Sequence, residues 1–314
     1  MKKIVFTLLL TLFAVVIRAQ ESQTEYNFLR LPVSAHAAAL GGENITIIED
    51  DPSLMFSNPA LASSVSDKTV GLSYMNYMRG AHYMGASYTK ALGEKATLAG
   101  GVRYMNYGKM KEVDANNVQT GTFNASEIAV EGIFSYELAR NLVGGITAKF
   151  ITSYIGSYNS MAVGVDLGLN WYEPERQWSV SLVAKNLGGQ IKAYEEEYGK
   201  MPIDVQVGVS KTFAALPVRV SATLVDLTHY DYRFINHLNL GAEVLLSESI
   251  WVGGGYNFRK ADEMTIGKDE NASAHGAGFS VGAGINLEQF KLNLAYGKYH
   301  AASNSILVNL AYSF

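Results

Sequence analysis

Six histidines are the side chains of this 314-residue sequence that could most readily do chemistry, as metal ligands or as proton carriers. Five of them lie at or near predicted loops on one side of the protein: His82, His229, His237, His275 and His300. The sixth, His36, lies in the N-terminal part of the chain. No two histidines have the helical spacing of a zinc protease motif, and the sequence has no cysteine. We therefore predict no metal site and no cofactor.

Nucleophilic catalysis is not indicated by the sequence either. A Ser-His-Asp or Ser-His-Asn set can be assembled from loop residues, but no serine here stands in a motif that marks an activated nucleophile. The glycine-rich stretches GGENI and VGGGYNF do not precede a helix start, as a phosphate-binding loop must. We therefore predict that the protein is not an enzyme.

Charged residues inside alternating segments are a second group that could have a role. They fall on the face opposite the apolar residues, and both signs are present: Arg103, Glu127, Glu131, Lys149, Asp166, Lys185, Arg219 and Glu243. A charge within a membrane-spanning strand must avoid lipid, so this face should line an interior. Mixed signs predict ion pairs that brace the interior. The alternative is a solute pathway, although an ion-selective pore would carry one sign of charge.

The elements that must position these charges are segments in which apolar and polar residues alternate, as they do in a β-strand. In MAVGVDLGLNW, for example, Val165 and Leu167 share one face while Asp166 takes the other. Fourteen such segments are present: 68–79, 82–92, 95–107, 124–138, 141–154, 160–172, 177–186, 203–213, 217–227, 237–246, 249–259, 276–286, 289–298 and 304–314. We predict fourteen antiparallel strands.

The connections between these segments include short turns and four longer stretches: 108–123, 187–202, 228–236 and 260–275. Short periplasmic turns and longer extracellular loops are typical of outer-membrane β-barrels. The composition agrees, with 48% hydrophobic residues, 19 Tyr and 30 Gly, and the net charge of −4 argues against a nucleic-acid partner. The predicted fold is an all-β, 14-stranded antiparallel transmembrane barrel.

The last strand supports the same fold. In SILVNLAYSF, five residues share an outward row: Ile306, Val308, Leu310, Tyr312 and Phe314. A barrel needs such a row on its final strand, which must face lipid and pair with the first strand to remove the open edge. Tyr312 and Phe314 are predicted to form the insertion signal, and the inward Asn309 is expected to tolerate serine.

The start of the chain is typical of an export signal. Residues 1–19 combine two lysines, an apolar run from Ile4 to Ile17 and a small residue, Ala19, at the cleavage position. We therefore predict export and location in the outer membrane. Because no cysteine follows the signal, neither a lipid anchor there nor a disulfide is expected. The predicted domains are a signal peptide (1–19), a hatch (20–67) and the barrel (68–314).

The predicted hatch differs from the strands and carries enough apolar surface to be buried. A barrel of about fourteen strands has a lumen too wide for its own side chains to fill, so residues 20–67 are predicted to fold into it. A barrel with such a segment resembles the FadL family of outer-membrane proteins. The stretch SNPALA places Asn58, Pro59 and Ala60 where the hatch motif of that family lies.

Several separated blocks carry a more specific resemblance: YNFLRLPVSAHAAALGG, NYMRGAHY, NYGKMKEVDANNVQTGTFNASE and SLVAKNLGGQIKAY. They are similar to the PorV/PorQ group of type IX secretion system barrels of Bacteroidetes. The resemblance implies a cell-surface attachment complex that processes secreted cargo and joins it to lipopolysaccharide. The implied partners are a PorZ-like surface protein, a PorU-like sortase and a PorV-like barrel, besides outer-membrane lipid and lipopolysaccharide.

Two functions remain open. In the first, the barrel docks a surface partner through aromatic and charged loop residues: Tyr194, Tyr198, His229, Tyr230, Tyr232, Arg233 and Phe234. The stretch HYDYRF is the best candidate within this set. In the second, the barrel transports hydrophobic small molecules across the outer membrane, as the wider FadL family implies. The compact loops and the type IX resemblance favour docking.

Overall fold

A computed structural model describes residues 24–78, 80–213, 215–264, 276–300 and 303–314. The predicted signal peptide and His275 lie outside these residues. Fourteen antiparallel strands make up most of the described chain: β1 (Thr69–Met78), β2 (Ala81–Leu92), β3 (Ala96–Val113), β4 (Gln119–Ala139), β5 (Leu142–Ile155), β6 (Tyr158–Glu173), β7 (Trp178–Lys192), β8 (Asp204–Phe213), β9 (Val218–Leu224), β10 (Leu238–Leu245), β11 (Ile250–Asn257), β12 (Phe279–Asn286), β13 (Phe290–His300) and β14 (Ser303–Ser313). The predicted number of strands is confirmed.

The strands close into a barrel in which β14 pairs with β1. The closing register runs from Thr69 opposite Ser313 to Asn76 opposite Ile306. Closure leaves no open sheet edge, because the backbone groups of each strand face a neighbour on both sides. The predicted pairing of the last strand with the first is therefore confirmed.

Side chains alternate between the two faces of the barrel wall, as a period of two residues requires. On β14, Leu310 and Tyr312 are exposed on the outer face, whereas Ala311 between them is buried. On β6, Leu167 is exposed and Asp166 is buried. The outer face therefore carries large apolar side chains, and the inner face carries small and charged ones.

Residues 24–67, which we call the N-terminal segment, pack against the inner face of the wall. The segment contains four short helices: η1 (Asn27–Arg30), α1 (Ala35–Ala39), η2 (Pro52–Phe56) and η3 (Pro59–Ser64). Helix α1 contacts β12, β13 and β14, and η3 contacts β4, β5 and β6 on another part of the wall. Some of its apolar side chains form a small core within the segment: Ala37, Leu40, Ile47, Leu54 and Leu61. Among the described residues, no helix is long and apolar enough to cross a membrane.

The starts of the segment's helices follow from local sequence. Ser34, Asp51 and Asn58 each precede a helix, and each side chain accepts a hydrogen bond from a backbone N–H of the first turn. Proline follows Asp51 and Asn58 at the first helical position, where its missing N–H costs nothing. Short helices therefore form without long runs of helix-favouring residues.

The two ends of the barrel differ in their connections. Short turns join the strands at one end, the turn end. The opposite end, the loop end, has three long connections, 193–203, 225–237 and 258–278. The second of these contains η4 (Phe234–His237), and the third begins with α2 (Phe258–Glu263).

The prediction of a long loop at 108–123 is wrong. β3 continues to Val113 and β4 begins at Gln119, so the two strands form a ribbon closed by a short turn. Asp114 stabilises this turn because its side chain accepts two backbone N–H groups. The ribbon is exposed on both faces, so it has no apolar row for periodicity to detect. Likewise, β7 extends to Lys192, beyond its predicted end.

Candidate functional site

The Asn-Pro-Ala turn is buried against the inner face of the wall. The side-chain Oδ1 of Asn58 accepts the N–H of Ala60 at 3.0 Å. Its Nδ2 donates to three acceptors: Ile45 O at 3.0 Å, Ser181 Oγ at 3.3 Å and Leu169 O at 3.4 Å. A side chain at Gly145 would collide with Pro59, and one at Gly168 would collide with Asn58. The two glycines therefore let the turn approach the backbone of β5 and β6.

Acidic residues of the N-terminal segment pair with basic residues of the wall. The pairs are Glu43 with Lys185 at 3.3 Å, Glu49 with Arg219, and Asp50 with Lys291 at 2.7 Å. The wall strands that supply the three cations are β7, β9 and β13, so the contacts are spread around the barrel. The segment is therefore tied to the wall by charge as well as by apolar packing.

A four-residue charge cluster centred on His36 is the most buried of these ties. His36 Nε2 lies 2.6 Å from Glu243 Oε2, and its Nδ1 lies 3.2 Å from Glu49 Oε2. Arg219 contacts both carboxylates, with its Nε 2.5 Å from Glu243 Oε1. The imidazole stacks on Trp251 with ring centroids 3.7 Å apart and an interplanar angle of 6°. We call this set the His36 cluster.

The protonation of His36 follows from its surroundings. Burial alone would lower the pKa of His36, but the carboxylates of Glu49 and Glu243 outweigh burial and raise it to about 9. Burial also favours a neutral Glu49, yet His36 and Arg219 together lower the pKa of that carboxyl. At neutral pH the cluster therefore holds two cations and two anions and is balanced in charge.

The same groups have the composition of a metal site. His36, Glu49 and Glu243 each offer one ligand atom, and these atoms lie within 4.8 Å of one another. Arg219, however, already contacts both carboxylates. A guanidinium at that position supplies the positive charge that a metal ion would bring, so the donor set fits a network of ion pairs better than a metal centre.

Two further ion pairs lie within the wall itself. Arg103 pairs with Glu131, its Nε lying 2.5 Å from Oε1, and it donates to the carbonyl of Leu29 at 3.2 Å. Lys149 lies 2.6 Å from Asp166 and donates to Asn186 at 2.7 Å. These contacts join neighbouring strands and, through Leu29, reach the N-terminal segment. The sequence pattern placed these charges inward without indicating which partners they contact.

Glu127 differs from the other seven predicted interior charges. Its carboxylate accepts the hydroxyl of Tyr107 at 2.5 Å and has no ion-pair partner among the described residues. It is nevertheless buried, with only 7% of its surface exposed. Most of the predicted interior charges thus have an opposite charge beside them, but Glu127 does not.

Asn309 is a neutral tie between the last strand and the N-terminal segment. Its Nδ2 donates to Val33 O at 2.9 Å and to Ser73 Oγ at 2.6 Å, and its Oδ1 accepts the N–H of Ala35. Serine is too short to reach all three groups. These contacts lead us to expect that Asn309 does not tolerate serine, contrary to the expectation from the sequence.

The predicted partner-binding residues divide into exposed and half-buried ones. Tyr198, Tyr230 and Phe234 are 66%, 65% and 71% exposed at the loop end. Tyr194 is half-buried because its hydroxyl donates to Ser153 inside the barrel at 2.5 Å. Tyr232 is also half-buried.

Tyr232 is held between two neighbours of the loop end. Its ring stacks on His229 with centroids 5.4 Å apart, and the guanidinium of Arg259 lies 4.8 Å from its centroid. Arg233 points outward and pairs with Asp262 at 2.8 Å. HYDYRF therefore contains two aromatic rings that water reaches and one that helps to build the loop. Rings two residues apart do not share a face here because the connection runs through turns. On the outer face at the turn end, the rings of Tyr312 and Phe314 meet edge to face at 5.0 Å.

Several residues of these networks were missed by sequence reasoning. They are His36, Glu43, Glu49, Asp50, Asp226, Arg259 and Lys291. Those in the N-terminal segment lie outside any periodic pattern, so no sequence signal assigned them a face. Asp226 and Arg259 fall in the predicted strands 217–227 and 249–259, but these predictions ran too far, because β9 ends at Leu224 and β11 at Asn257. Lys291 stands in a predicted strand, and the facing of its neighbours would have placed it inward.

The sequence matches one protein family. That family is described as type IX secretion system membrane protein PorP/SprF, and the match covers residues 62–309. The matched residues include β1 to β13 and the first part of β14, and they exclude most of the N-terminal segment. No curated protein matches the sequence.

Several solved structures have a similar fold. The toluene transporter TodX of Pseudomonas putida has 12% sequence identity and a TM-score of 0.54, covering 90% of this chain and 97% of that one. A Pseudomonas aeruginosa FadL homologue has 10% identity and a TM-score of 0.55, covering 90% and 98%. The monoaromatic hydrocarbon channel CymD has 13% identity and a TM-score of 0.54, covering 90% and 97%. At these identities the likeness shows a FadL-like fold and nothing further.

Proposed function

This chain belongs to the PorP/SprF family of type IX secretion system membrane proteins, and we propose that it is a docking subunit of that system in the outer membrane. In this proposal the turn end faces the periplasm and the loop end faces the cell surface. The partner is a PorZ-like surface protein, as the resemblance to the PorV/PorQ group implies. The complex processes secreted cargo and attaches it to lipopolysaccharide.

The occupied interior is the observation that carries this proposal. The N-terminal segment is buried against the wall and tied to it by ion pairs on several strands. A docking subunit needs a rigid base, and these ion pairs hold the segment to β7, β9 and β13. In the proposal, the segment therefore acts as a hatch that braces the barrel.

Exposed aromatic side chains at the loop end support the same proposal. Tyr198, Tyr230 and Phe234 present large rings to water. Tyr and Phe are frequent anchors in protein interfaces because they bury much apolar area at a small cost in side-chain entropy. Ile235 adds a further exposed apolar side chain beside Phe234. We propose that these residues contact the partner.

Purification of the tagged protein from native outer membrane in mild detergent tests the proposal. The wild type should retain a type IX secretion component, and the double variant Tyr230→Ala with Phe234→Ala should lose it. Tyr158→Ala is the matched control, because Tyr158, the first residue of β6, is 51% exposed at the same end. Retention of the partner by the double variant would exclude these residues as anchors.

A transporter of hydrophobic molecules is the second candidate. It is favoured by the FadL-like fold, shared with the toluene transporter TodX and the channel CymD. Against it, large apolar grooves lie on the outer face of the wall, where they do not lead through the barrel. One of them has a volume of about 440 Å³ and is lined by Phe134, Ile146 and Leu167. Loss of hydrophobic solute uptake in the double variant, with unchanged partner recovery, would favour transport over docking.

A further inference from the structure

Asp226 lies where the N-terminal segment meets two connections of the loop end. It follows β9, is 3% exposed, and has a left-handed backbone with φ of 53°. Its carboxylate oxygens lie 2.7 and 2.9 Å from Nη1 of Arg30 in η1, and the carboxylate also pairs with Arg259 in α2. His229 of the same connection lies 3.6 Å away. Burial and the nearby Arg30 lower the pKa of His229, so the two arginines are the cations here.

The backbone of Asp226 is anchored as firmly as its side chain. Its N–H donates to Oδ1 of Asp204 at the start of β8, at a distance of 2.7 Å. Aspartate tolerates the left-handed conformation better than most residues, so this position allows the chain to turn sharply out of β9. The carboxylate is therefore held at a fixed place on the wall, to which Arg30 and Arg259 converge.

The same contacts set the direction of the exposed aromatic rings. Arg259, placed by Asp226, lies over the ring of Tyr232, and that ring stacks on His229. Tyr232 is thereby turned inward. Tyr230 and Phe234, in the same connection, are exposed instead.

Helix α2 has a second attachment to the N-terminal segment. Asn257, which caps α2, donates to the carbonyl of Gly41 at 3.1 Å. The ammonium of Lys260 lies 3.8 Å from the ring centroid of Tyr299, whose hydroxyl lies 3.4 Å from Ala38 O. The segment also meets connection 193–203, where the N–H of Glu25 donates to Lys200 O at 2.9 Å. Among the described residues, Asp226 is the one whose ion pairs join the segment, α2 and the connection 225–237.

We propose that Asp226 is a positioning residue that fixes Tyr230 and Phe234 by fastening connection 225–237 to Arg30. In this arrangement the exposed aromatic surface is complete only when the N-terminal segment is seated in the barrel. The coupling of loop order to the segment stands on these contacts alone. Its use in partner binding rests on the proposed docking function.

A spin label at Phe234→Cys tests the coupling in purified protein without any partner. The chain has no native cysteine, so a single introduced thiol is labelled specifically. Arg30→Ala should move the label from the slow to the fast side of the nanosecond range, although residue 30 is not in the loop. A second label at Tyr158→Cys, at the same end but outside these contacts, should be unchanged by Arg30→Ala.

Rescue by charge separates positioning from a general loss of packing. A single nitrogen of Arg30 contacts both oxygens of Asp226, so the ammonium of Arg30→Lys can replace it. The lysine variant should keep the label at position 234 slow. Asp226→Asn should mobilise the label, and if that variant does not fold, the two Arg30 variants still decide the question.

Two outcomes would overturn the proposal. One is a label at position 234 that stays equally slow in Arg30→Ala, and the other is a lysine variant that behaves as alanine does. Either result leaves the docking function untouched, because no partner is present in the experiment. Conversely, a mobilised label together with normal partner recovery would support the coupling and contradict the docking role of Phe234.

Discussion

The His36 cluster and the contacts around Asp226 both hold the N-terminal segment with charges, but they differ in what they join and in access to water. The His36 cluster joins the segment to the wall, and the side chains of His36 and Glu243 are 0% and 1% exposed. Around Asp226, the side chains of Arg30 and Arg259 are 23% and 21% exposed, and the contacts reach loops. In a cluster closed to water, an unbalanced charge lowers the stability of the protein. In a partly hydrated cluster the same change costs less, and the ion pairs mainly fix the positions of the loops.

The largest expected effect is on the His36 cluster. Arg219→Met removes a cation from between the buried carboxylate of Glu243 and that of Glu49, which is 18% exposed, and should lower the free energy of unfolding by about 3 kcal/mol. Urea unfolding followed by tryptophan emission would measure it, because one of the three tryptophans, Trp251, stacks on His36. Adding Glu49→Gln to Arg219→Met restores the balance of charge and should recover part of the loss. If the double variant is no more stable than the single one, charge balance is not the controlling factor.

The next largest effect should be a dependence of stability on pH that arises in the His36 cluster. Because the folded-state pKa of His36 is raised to about 9 from 6.5, its stabilisation is fully present below pH 6.5 and is lost as the pH rises through about 9. The difference corresponds to about 3 kcal/mol. Unfolding midpoints of the wild type should fall over this range, and those of His36→Gln should not. His82→Gln, with its side chain hydrogen-bonded to Tyr74, is the control and should fall as the wild type does.

A neutral tie should have an intermediate effect. Asn309→Ser leaves the buried Val33 carbonyl and Ala35 N–H without a side-chain partner, at a cost of about 1 to 3 kcal/mol. Leu310→Val, on the outer face of the same strand, is the matched control and should cost less. Equal unfolding midpoints for Asn309→Ser and the wild type would mean that other groups form hydrogen bonds with the Val33 carbonyl and the Ala35 N–H.

The smallest expected effect on stability is at the partly hydrated cluster. Arg30→Ala should lower the free energy of unfolding by at most about 1 kcal/mol, because the side chain of Arg30 is partly exposed and Arg259 still pairs with the carboxylate of Asp226. The same variant should nevertheless mobilise the loop that carries Phe234. A loss as large as that of Arg219→Met would show that the two clusters do not differ as described.

Much of the barrel could be predicted from the sequence because a strand with two different faces has a period of two. The alternation of Leu167 with Asp166, and of Leu310 with Ala311, placed both strands and their facing. Where both faces of a strand meet the same surroundings, the period of two disappears. This is the case in the ribbon between Lys109 and Asn124, for which the sequence predicts a loop. The end of β7 was missed for the same reason, whereas the predicted strands 217–227 and 249–259 were too long, because β9 ends at Leu224 and β11 at Asn257.

Local periodicity and the need to remove open edges were enough to derive the fourteen strands, their inward and outward rows and the closure of the last strand on the first. The charged residues could be placed inside, but their partners could not. His36 meets Glu243 across 207 residues and Arg30 meets Asp226 across 196. These contacts can be seen only in the folded structure, because the N-terminal segment has no periodic pattern and its path depends on packing against the barrel wall.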